Sequence, residues 1–234
     1  MLISLKNKYI CLNSPKTGTG YRENVLNTHY EYSMLNERKH QRETLTNQGI
    51  TPDKNNLSNF GGLRHCNIQR TMSWAISKNI QIDDNIFWFT FTRNPWDRAV
   101  SFYNMYINWN CNHLFKTNSL VVDVEPKITS EHFIDFLKSR VFTWSGAQIT
   151  YIQYKDFKVD FIGKLENMHH DMSHVISRLN LQDICIDKKQ NTQQQSRVKR
   201  YDHLIREMWT DEIIDYIAEF DKDVINLQGY DFKP

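Results

Sequence analysis

The sequence predicts an α/β fold in which a mostly parallel sheet carries helices on both faces. Short apolar segments typical of buried strands alternate along the chain with longer segments whose apolar residues recur at helical spacing. In two places, a strand is followed by a tight polar turn and the start of a helix. The 234 residues show no internal repeat and no shift in composition, so we expect a single domain over residues 1–234.

Three segments have the composition of buried strands, namely residues 9–13, 86–92 and 159–165. Runs of aliphatic, aromatic and β-branched residues are typical of central strands in a parallel sheet. Residues 31–62 are polar and contain turn signals, which indicates a loop or short helices. Residues 108–128 are expected to be irregular.

Helices are predicted between these strands. Residues 20–29, 67–78 and 130–140 are expected to be helical. Asn94 can cap a further helix that begins at Pro95. The apolar positions that define the buried face of that helix are Ala99, Val100, Tyr103 and Ile107. A second such face is formed by Met172, Val175, Ile176 and Leu179.

The clearest helix is the last one in the chain. Thr210 can cap it, and the carboxylates of Asp211 and Glu212 suit the positive end of its dipole. Its apolar residues recur at helical spacing as one continuous series: Ile213, Ile217, Phe220, Val224 and Leu227.

Composition places the chain among ordinary globular proteins, with 40% hydrophobic and 24% charged residues. A net charge of +2 is too small to indicate general nucleic-acid binding, and no apolar run is long enough to span a bilayer. Lys6 and Lys8 interrupt what would be the apolar part of a secretory signal. The four cysteines are widely spaced, as in reduced structural thiols. We therefore expect a cytoplasmic protein without a nucleic-acid or membrane partner.

The first turn, residues 13–20, reads Asn-Ser-Pro-Lys-Thr-Gly-Thr-Gly after the first strand. It is not a Walker A loop, because Lys16 precedes both glycines. Consecutive backbone N–H groups at a helix start can still bind phosphate, and glycines permit its close approach. Lys16 would add a mobile point charge. The alternative is an ordinary strand-to-helix turn with a solvated lysine.

The second turn, residues 93–101, reads Arg-Asn-Pro-Trp-Asp-Arg-Ala-Val-Ser after the second strand. Arg93 lies at the end of a buried strand and requires an anion, supplied by the protein or by a ligand. Ser101 follows two helical turns later, and Asp97 and Arg98 are expected to pair on the surface. Two anion-binding turns on one sheet predict a ligand with phosphate at two separate places.

The two turns together resemble the nucleotide-binding signatures of the sulfotransferases, enzymes that use 3′-phosphoadenosine 5′-phosphosulfate (PAPS). The matching residues are Pro15-Lys16-Thr17-Gly18-Thr19 and Arg93-Asn94-Pro95-Trp96-Asp97-Arg98-x-x-Ser101. Residues 161–167 and 209–232 are also similar to this family, especially to its carbohydrate-type branch. The resemblance runs from residue 8 to residue 232, with weak stretches in between, and implies a three-layer, P-loop-like α/β fold.

The resemblance also assigns a role to the first turn. Lys16 would bind the 5′-phosphosulfate and stabilise the bridging oxygen as its bond to sulfur breaks. Thr17, Gly18 and Thr19 would cradle the 5′-phosphate. Gly20 belongs to the same cofactor-binding set but departs from the family, which usually has Thr or Ser there. One hydroxyl contact is then lost, while the backbone cradle remains.

The 3′-phosphate would be bound by Arg93 and Ser101, again as the resemblance implies. Residues 188–201 contain several Lys and Arg residues and no acid. Such a stretch is usually a solvated loop, but in the family a segment here closes over the adenosine and the 3′-phosphate. Arg197 and Lys199 are the expected contacts, and the sequence does not choose between them.

An alcohol acceptor also requires a base, and His65 is the candidate. Histidine titrates near neutrality, and carbohydrate-type sulfotransferases often have a basic residue followed by His at this place. The alternative is a surface or capping histidine, with His29 and Glu31 as reserve candidates for the base. Arg64 would either hold an anionic acceptor or be solvated. His170 and His174 are spaced for zinc but lack a third ligand, so no metal is expected.

The sequence therefore predicts a sulfotransferase that moves a sulfuryl group from PAPS to a hydroxyl group and releases adenosine 3′,5′-bisphosphate. A saccharide acceptor is favoured over a small lipophile, and the oligomeric state is not indicated. One alternative is an ATP-dependent small-molecule kinase of related P-loop fold, which would need a Walker loop and Mg²⁺. Another is a nucleotide-binding module without catalysis.

Overall fold

The computed structural model describes residues 1–27, 29–33, 46–47, 64–117, 128–181, 183–184, 186 and 202–233, without the side chains of 108–117. The chain divides into two units. The first contains residues 1–92 and 150–186, and the second contains residues 93–149 and 187–234. The single domain expected over residues 1–234 stays a prediction.

Strands occur in the first unit. They are β1 Leu2–Ser4, β2 Tyr9–Leu12, β3 Tyr32–Ser33, β4 Phe87–Thr92, β5 Gln153–Tyr154, β6 Phe157–Lys158 and β7 Phe161–Lys164. The helices of both units are α1 Thr19–Val25, α2 Ile68–Ser77, α3 Pro95–Thr117, α4 Ser130–Lys138, α5 Arg140–Thr143, α6 Met168–Arg178, α7 Asp202–Arg206, α8 Asp211–Phe220 and α9 Lys222–Gln228.

Five strands form the central sheet in the order β3-β1-β2-β4-β7, and β5 pairs with β6 in a separate hairpin. The three predicted strands are confirmed as β2, β4 and β7, which run parallel to one another. Leu12 lies beside Thr90, and Thr92 lies beside Lys164, so these strands end at one edge of the sheet. The antiparallel strands β1 and β3 were not predicted, because two or three residues are too few to show a period.

Helices cover both faces of this sheet, as predicted. One face packs against α1 and α6 through a buried cluster that includes Leu2, Tyr9, Cys11, Tyr21, Val25, Phe89, Phe91, Met168, Met172 and Val175. On the other face, the Trp74 ring of α2 lies edge-on to Tyr32 at 6.0 Å between centroids. The fold is thus mixed α/β with a mostly parallel central sheet.

Helix α3 of the second unit is longer than predicted. It continues to Thr117, so the expectation of irregular structure over residues 108–128 is wrong for residues 108–117. No glycine or proline interrupts the chain between residues 96 and 117, which explains why the helix continues. Helices α3, α4 and α8 pack together around stacked aromatic rings, with Tyr103 and Phe133 at 4.7 Å between centroids.

The prediction of one continuous helix at the end of the chain is also wrong. It is broken into α8 and α9 at Asp221, whose backbone leaves the helical region (φ −114°, ψ 22°). The carboxylate of Asp221 is buried against Arg98 and the N–H of Gln148, and this tertiary interaction outweighs the local helical pattern. Leu227, expected on the apolar face, is 42% exposed. In the described parts of both units, no helix has the length and apolarity needed to cross a membrane.

Candidate active site

The first turn, residues 13–20, joins β2 to α1 through two residues in the left-handed region. These are Lys16 (φ 66°) and Gly18 (φ 77°). A Cβ atom at Gly18 would lie 2.7 Å from Met168 Cε and 2.8 Å from Leu165 Cδ1. The backbone conformation therefore favours glycine at position 18, and a larger residue would also displace the ends of the Met168 and Leu165 side chains.

Backbone N–H groups are what this turn offers to a ligand. The hydroxyl of Thr17 donates to the Ser14 carbonyl at 2.7 Å, and the hydroxyl of Thr19 approaches the same oxygen at 3.4 Å. Helix α1 begins after Gly18 without a side-chain cap. The N–H groups of Thr19 and Gly20 lie in the first turn of α1 and have no intrahelical acceptor. This end of the helix carries partial positive charge, which suits an anion.

A fully buried arginine, Arg22, lies behind the first turn. Its guanidinium donates to the Thr17 carbonyl, to Asn13 Oδ1 at 3.2 Å and to Thr17 Oγ1 at 3.2 Å. It also lies over the Phe91 ring, 4.9 Å from the centroid. Burial lowers the pKa of Arg22, but a guanidinium stays protonated in proteins. Sequence reasoning missed this residue, since a single arginine inside a short helix is ordinarily solvated.

Buried polar atoms without a hydrogen-bond partner are concentrated at this turn. Of the six such side-chain atoms among the described residues, three belong to the turn or to its buried arginine: Asn13 Nδ2, Ser14 Oγ and Arg22 Nε. Buried polar groups are nearly always paired in proteins, so each exception requires an explanation. These donor groups lie where the sequence predicts an anionic ligand.

His65 contacts the first turn directly. Its Nδ1 lies 2.8 Å from the carbonyl oxygen of Asn13, and its own carbonyl accepts from the Tyr151 hydroxyl at 2.8 Å. Because a carbonyl oxygen only accepts, Nδ1 carries the proton and Nε2 keeps its lone pair. Burial lowers the pKa of His65 from 6.5 to about 4, against the opposing effect of the Asn13 hydrogen bond. The imidazole is therefore neutral at pH 7, and the sequence-based expectation that it titrates near neutrality is wrong.

The neighbouring Arg64 is held by α1. Its guanidinium donates to both carboxylate oxygens of Glu23, at 3.2 and 2.6 Å. The amino group of Met1 donates to the Arg64 carbonyl at 2.8 Å. Arg64 thus forms an internal ion pair, an arrangement that neither sequence interpretation included. We expect this pair, together with the hydrogen bond from His65 to Asn13, to limit the movement of the imidazole.

The second turn, residues 93–101, begins the second unit. Asn94 caps α3, as predicted, and accepts from the N–H groups of Trp96 at 3.1 Å and Asp97 at 3.4 Å. The backbone of Arg93 is bound on both sides by Gln148. Gln148 Oε1 accepts from the Arg93 N–H at 2.9 Å, and Gln148 Nε2 donates to the Arg93 carbonyl at 2.9 Å. Gln148 therefore fixes the direction of the chain at Arg93.

Arg98 is buried rather than paired with Asp97 on the surface, so that expectation is wrong. Arg98 Nη1 donates to Asp221 Oδ2 at 2.9 Å, and both side chains are essentially inaccessible. Asp97 instead pairs with Arg206. Asp221 also accepts from Gln148 N–H at 2.7 Å and from Gln148 Nε2 at 3.2 Å. A chain of contacts thus runs from Arg98 through Asp221 and Gln148 to the Arg93 backbone.

A model of the sulfotransferase family matches residues 1–226. The chain belongs to the sulfotransferase family. Searches of the curated proteins and of the solved structures find no match to it. The family establishes sulfuryl transfer as the general reaction of this sulfotransferase. The resemblance of the sequence to the carbohydrate-type branch is consistent with this family match. It also implies a P-loop-like fold.

The reserve candidates for the base in this sulfotransferase are engaged elsewhere in the first unit. Glu31 accepts from the N–H of Leu5 at 2.7 Å and from the Ser4 hydroxyl at 3.1 Å. His29 Nε2 lies 3.3 Å from Asp183. Of the three candidates, it is His65 that contacts the first turn.

The other residues predicted to bind the cofactor or a metal lie in several places. Ser101 lies on α3 and is partly exposed. Arg197 and Lys199 lie outside the described residues. Nδ1 of His170 lies 3.1 Å from Asp171, and the His174 ring packs on Phe161 at 4.9 Å. Within the ranges that the structure describes, no cluster of three His, Cys, Asp or Glu residues could hold a metal ion.

Proposed function

We propose that this sulfotransferase transfers a sulfuryl group from PAPS to a hydroxyl group of a saccharide, with His65 as the general base. The observation that carries the proposal is the contact between a neutral histidine and the first turn, which the proposal assigns to the anionic donor. His65 donates from Nδ1 to Asn13 in that turn, which leaves Nε2 available to accept a proton.

The residues of the first turn fit an anionic donor. The uncapped start of α1 and the buried charge of Arg22 favour negative charge there, as do Asn13 Nδ2 and Ser14 Oγ, which have no hydrogen-bond partner among the described residues. Lys16, Thr17, Gly18, Thr19 and Gly20 would hold the 5′-phosphosulfate. When bound, PAPS supplies the sulfuryl group, and adenosine 3′,5′-bisphosphate is released.

The second turn would hold the 3′-phosphate through Arg93 and Ser101. Gln148 supports this role, because it fixes the Arg93 backbone from both sides. Arg197 and Lys199 complete the proposed cofactor-binding set on the strength of the family resemblance alone.

The protein groups then have separate tasks during in-line transfer. His65 Nε2 accepts the proton of the acceptor hydroxyl as that oxygen bonds to sulfur. The Lys16 ammonium group offsets the negative charge that develops on the phosphate oxygen as its bond to sulfur breaks. The proposal includes no metal, since a sulfuryl group carries less negative charge than a phosphoryl group. A cytoplasmic location remains part of the proposal.

The decisive experiment measures transfer of ³⁵S from labelled PAPS to an array of saccharides and small alcohols in the presence of EDTA. We expect labelled saccharide with the wild-type protein. Lys16→Ala and His65→Gln should each lower kcat by roughly 100-fold or more. Lys6→Ala and His170→Gln are matched controls, because both residues are exposed, and they should keep wild-type activity.

Three results would contradict the proposal in different ways. Transfer of phosphate from ATP with Mg²⁺, and none of sulfate from PAPS, would indicate a kinase. Binding of adenosine 3′,5′-bisphosphate without transfer to any acceptor would indicate a nucleotide-binding module. Normal turnover by His65→Gln would exclude His65 as the base while leaving the donor assignment intact.

A further inference from the structure

Each unit contains a fully buried arginine, and the two differ in their partners. Arg98 of the second unit is neutralised by Asp221 at 2.9 Å. Arg22 of the first unit has no carboxylate within ion-pair distance among the described residues, and the nearby Glu23 is paired with Arg64. A buried guanidinium without a counter-ion is costly, because it loses its hydration and cannot become neutral.

The described groups that accept hydrogen bonds from Arg22 are neutral. They are the Thr17 carbonyl, Asn13 Oδ1 and the hydroxyls of Thr17 and Thr19. Cys11 is also close, but burial raises the pKa of its thiol, so it supplies no negative charge. Arg22 Nε has no hydrogen-bond partner in the part of the chain that the structure describes. All but Cys11 of these contacts belong to the first turn, so the uncompensated charge lies directly behind it.

We infer that Arg22 is a positioning residue whose buried charge is completed by the 5′-phosphate group of the bound nucleotide. This inference rests on the proposed function. Arg22 holds the turn through Thr17 and Asn13, and it adds positive charge behind the N–H groups that face the ligand. The free protein carries the cost of the buried cation, and binding of the anion at the turn offsets that cost. The Arg22 side chain thereby couples the geometry of the first turn to its affinity for the 5′-phosphate.

The test compares two ligands that differ in the 5′-phosphate group alone. Dissociation constants of adenosine 3′,5′-bisphosphate and adenosine 3′-phosphate are measured by calorimetry for the wild type, Arg22→Met and Arg22→Lys. Arg22→Met should weaken bisphosphate binding roughly 10- to 100-fold and leave adenosine 3′-phosphate binding unchanged. Arg22→Lys keeps the charge without the forked donors, so its bisphosphate affinity should fall between those of Arg22→Met and the wild type.

The controls separate this inference from a structural role and from the proposed function. If Arg22→Met weakens the binding of both ligands equally, the substitution disrupts the site in general and the inference is overturned. Unchanged binding of both ligands would also overturn it. If Arg22→Met fails to fold, the inference is tested with Arg22→Lys. The deciding quantity is again the ratio of the affinities for adenosine 3′,5′-bisphosphate and adenosine 3′-phosphate. A wild-type protein that binds neither nucleotide would refute the proposed donor, whereas binding by the wild type with no Arg22 dependence refutes this inference alone.

Discussion

Replacing Asp221 by Asn should destabilise the second unit strongly. The substitution keeps the shape of the side chain but removes the charge that neutralises Arg98, which is fully buried. Breaking a buried ion pair by changing one partner costs about 3–5 kcal/mol, because the other charge remains without compensation. Asp221 also accepts two hydrogen bonds from Gln148, at 2.7 and 3.2 Å. The expected loss is a large part of the roughly 5–15 kcal/mol that stabilises an ordinary domain.

The assay is denaturant unfolding of Asp221→Asn, Arg98→Met and the double variant. Removal of both charges should restore part of the stability, with a coupling free energy of about 1–3 kcal/mol. The exposed Asp223 provides a matched control, and Asp223→Asn should change the free energy of unfolding by no more than about 0.5 kcal/mol. If Asp221→Asn is as stable as this control, the buried pair does not stabilise the unit and the reasoning is wrong.

Three other changes test the first unit. Gly18→Ala should lower the melting temperature more than Gly229→Ala does. Both glycines have positive φ, but of these two positions it is at Gly18 that an added Cβ atom would meet a neighbouring atom, at 2.7 Å. His65 has a pKa of about 4 in the folded protein against 6.5 unfolded, so the unfolded chain binds the extra proton between these values. Stability should therefore fall by up to about 3 kcal/mol as pH drops from 6.5 to 4, and His65→Gln should flatten this slope. Glu23→Gln releases Arg64 and should lower kcat several-fold with little change in nucleotide affinity, measured by steady-state kinetics and calorimetry.

Local patterns account for the elements that were predicted correctly. Strands β2, β4 and β7 are apolar runs, and helix α2 covers residues 68–77 of the helix predicted over residues 67–78. The two turns were recognisable because binding an anion at a helix start needs particular residues at adjacent positions. None of these signals depends on contacts distant in sequence.

Several other features that were missed or wrongly predicted involve contacts between residues far apart in the chain. The break at Asp221 depends on Arg98, which is 123 residues away. Gln148 holds Arg93 across 55 residues, and no local pattern marks it as important. The pairing of Arg64 with Glu23 likewise joins two segments that the sequence analysis treated separately.

The order of residues alone determined the class of fold, the family and the position of the two polar turns, since each depends on short segments whose chemistry is local. Folding determined which charges are neutralised and which protonation states result. His65 is neutral because it is buried beside Asn13, and Arg22, which is buried at the same turn, has no carboxylate within ion-pair distance among the described residues. Desolvation and hydrogen bonding depend on the three-dimensional surroundings of a group, and those surroundings come from parts of the chain that are remote in sequence.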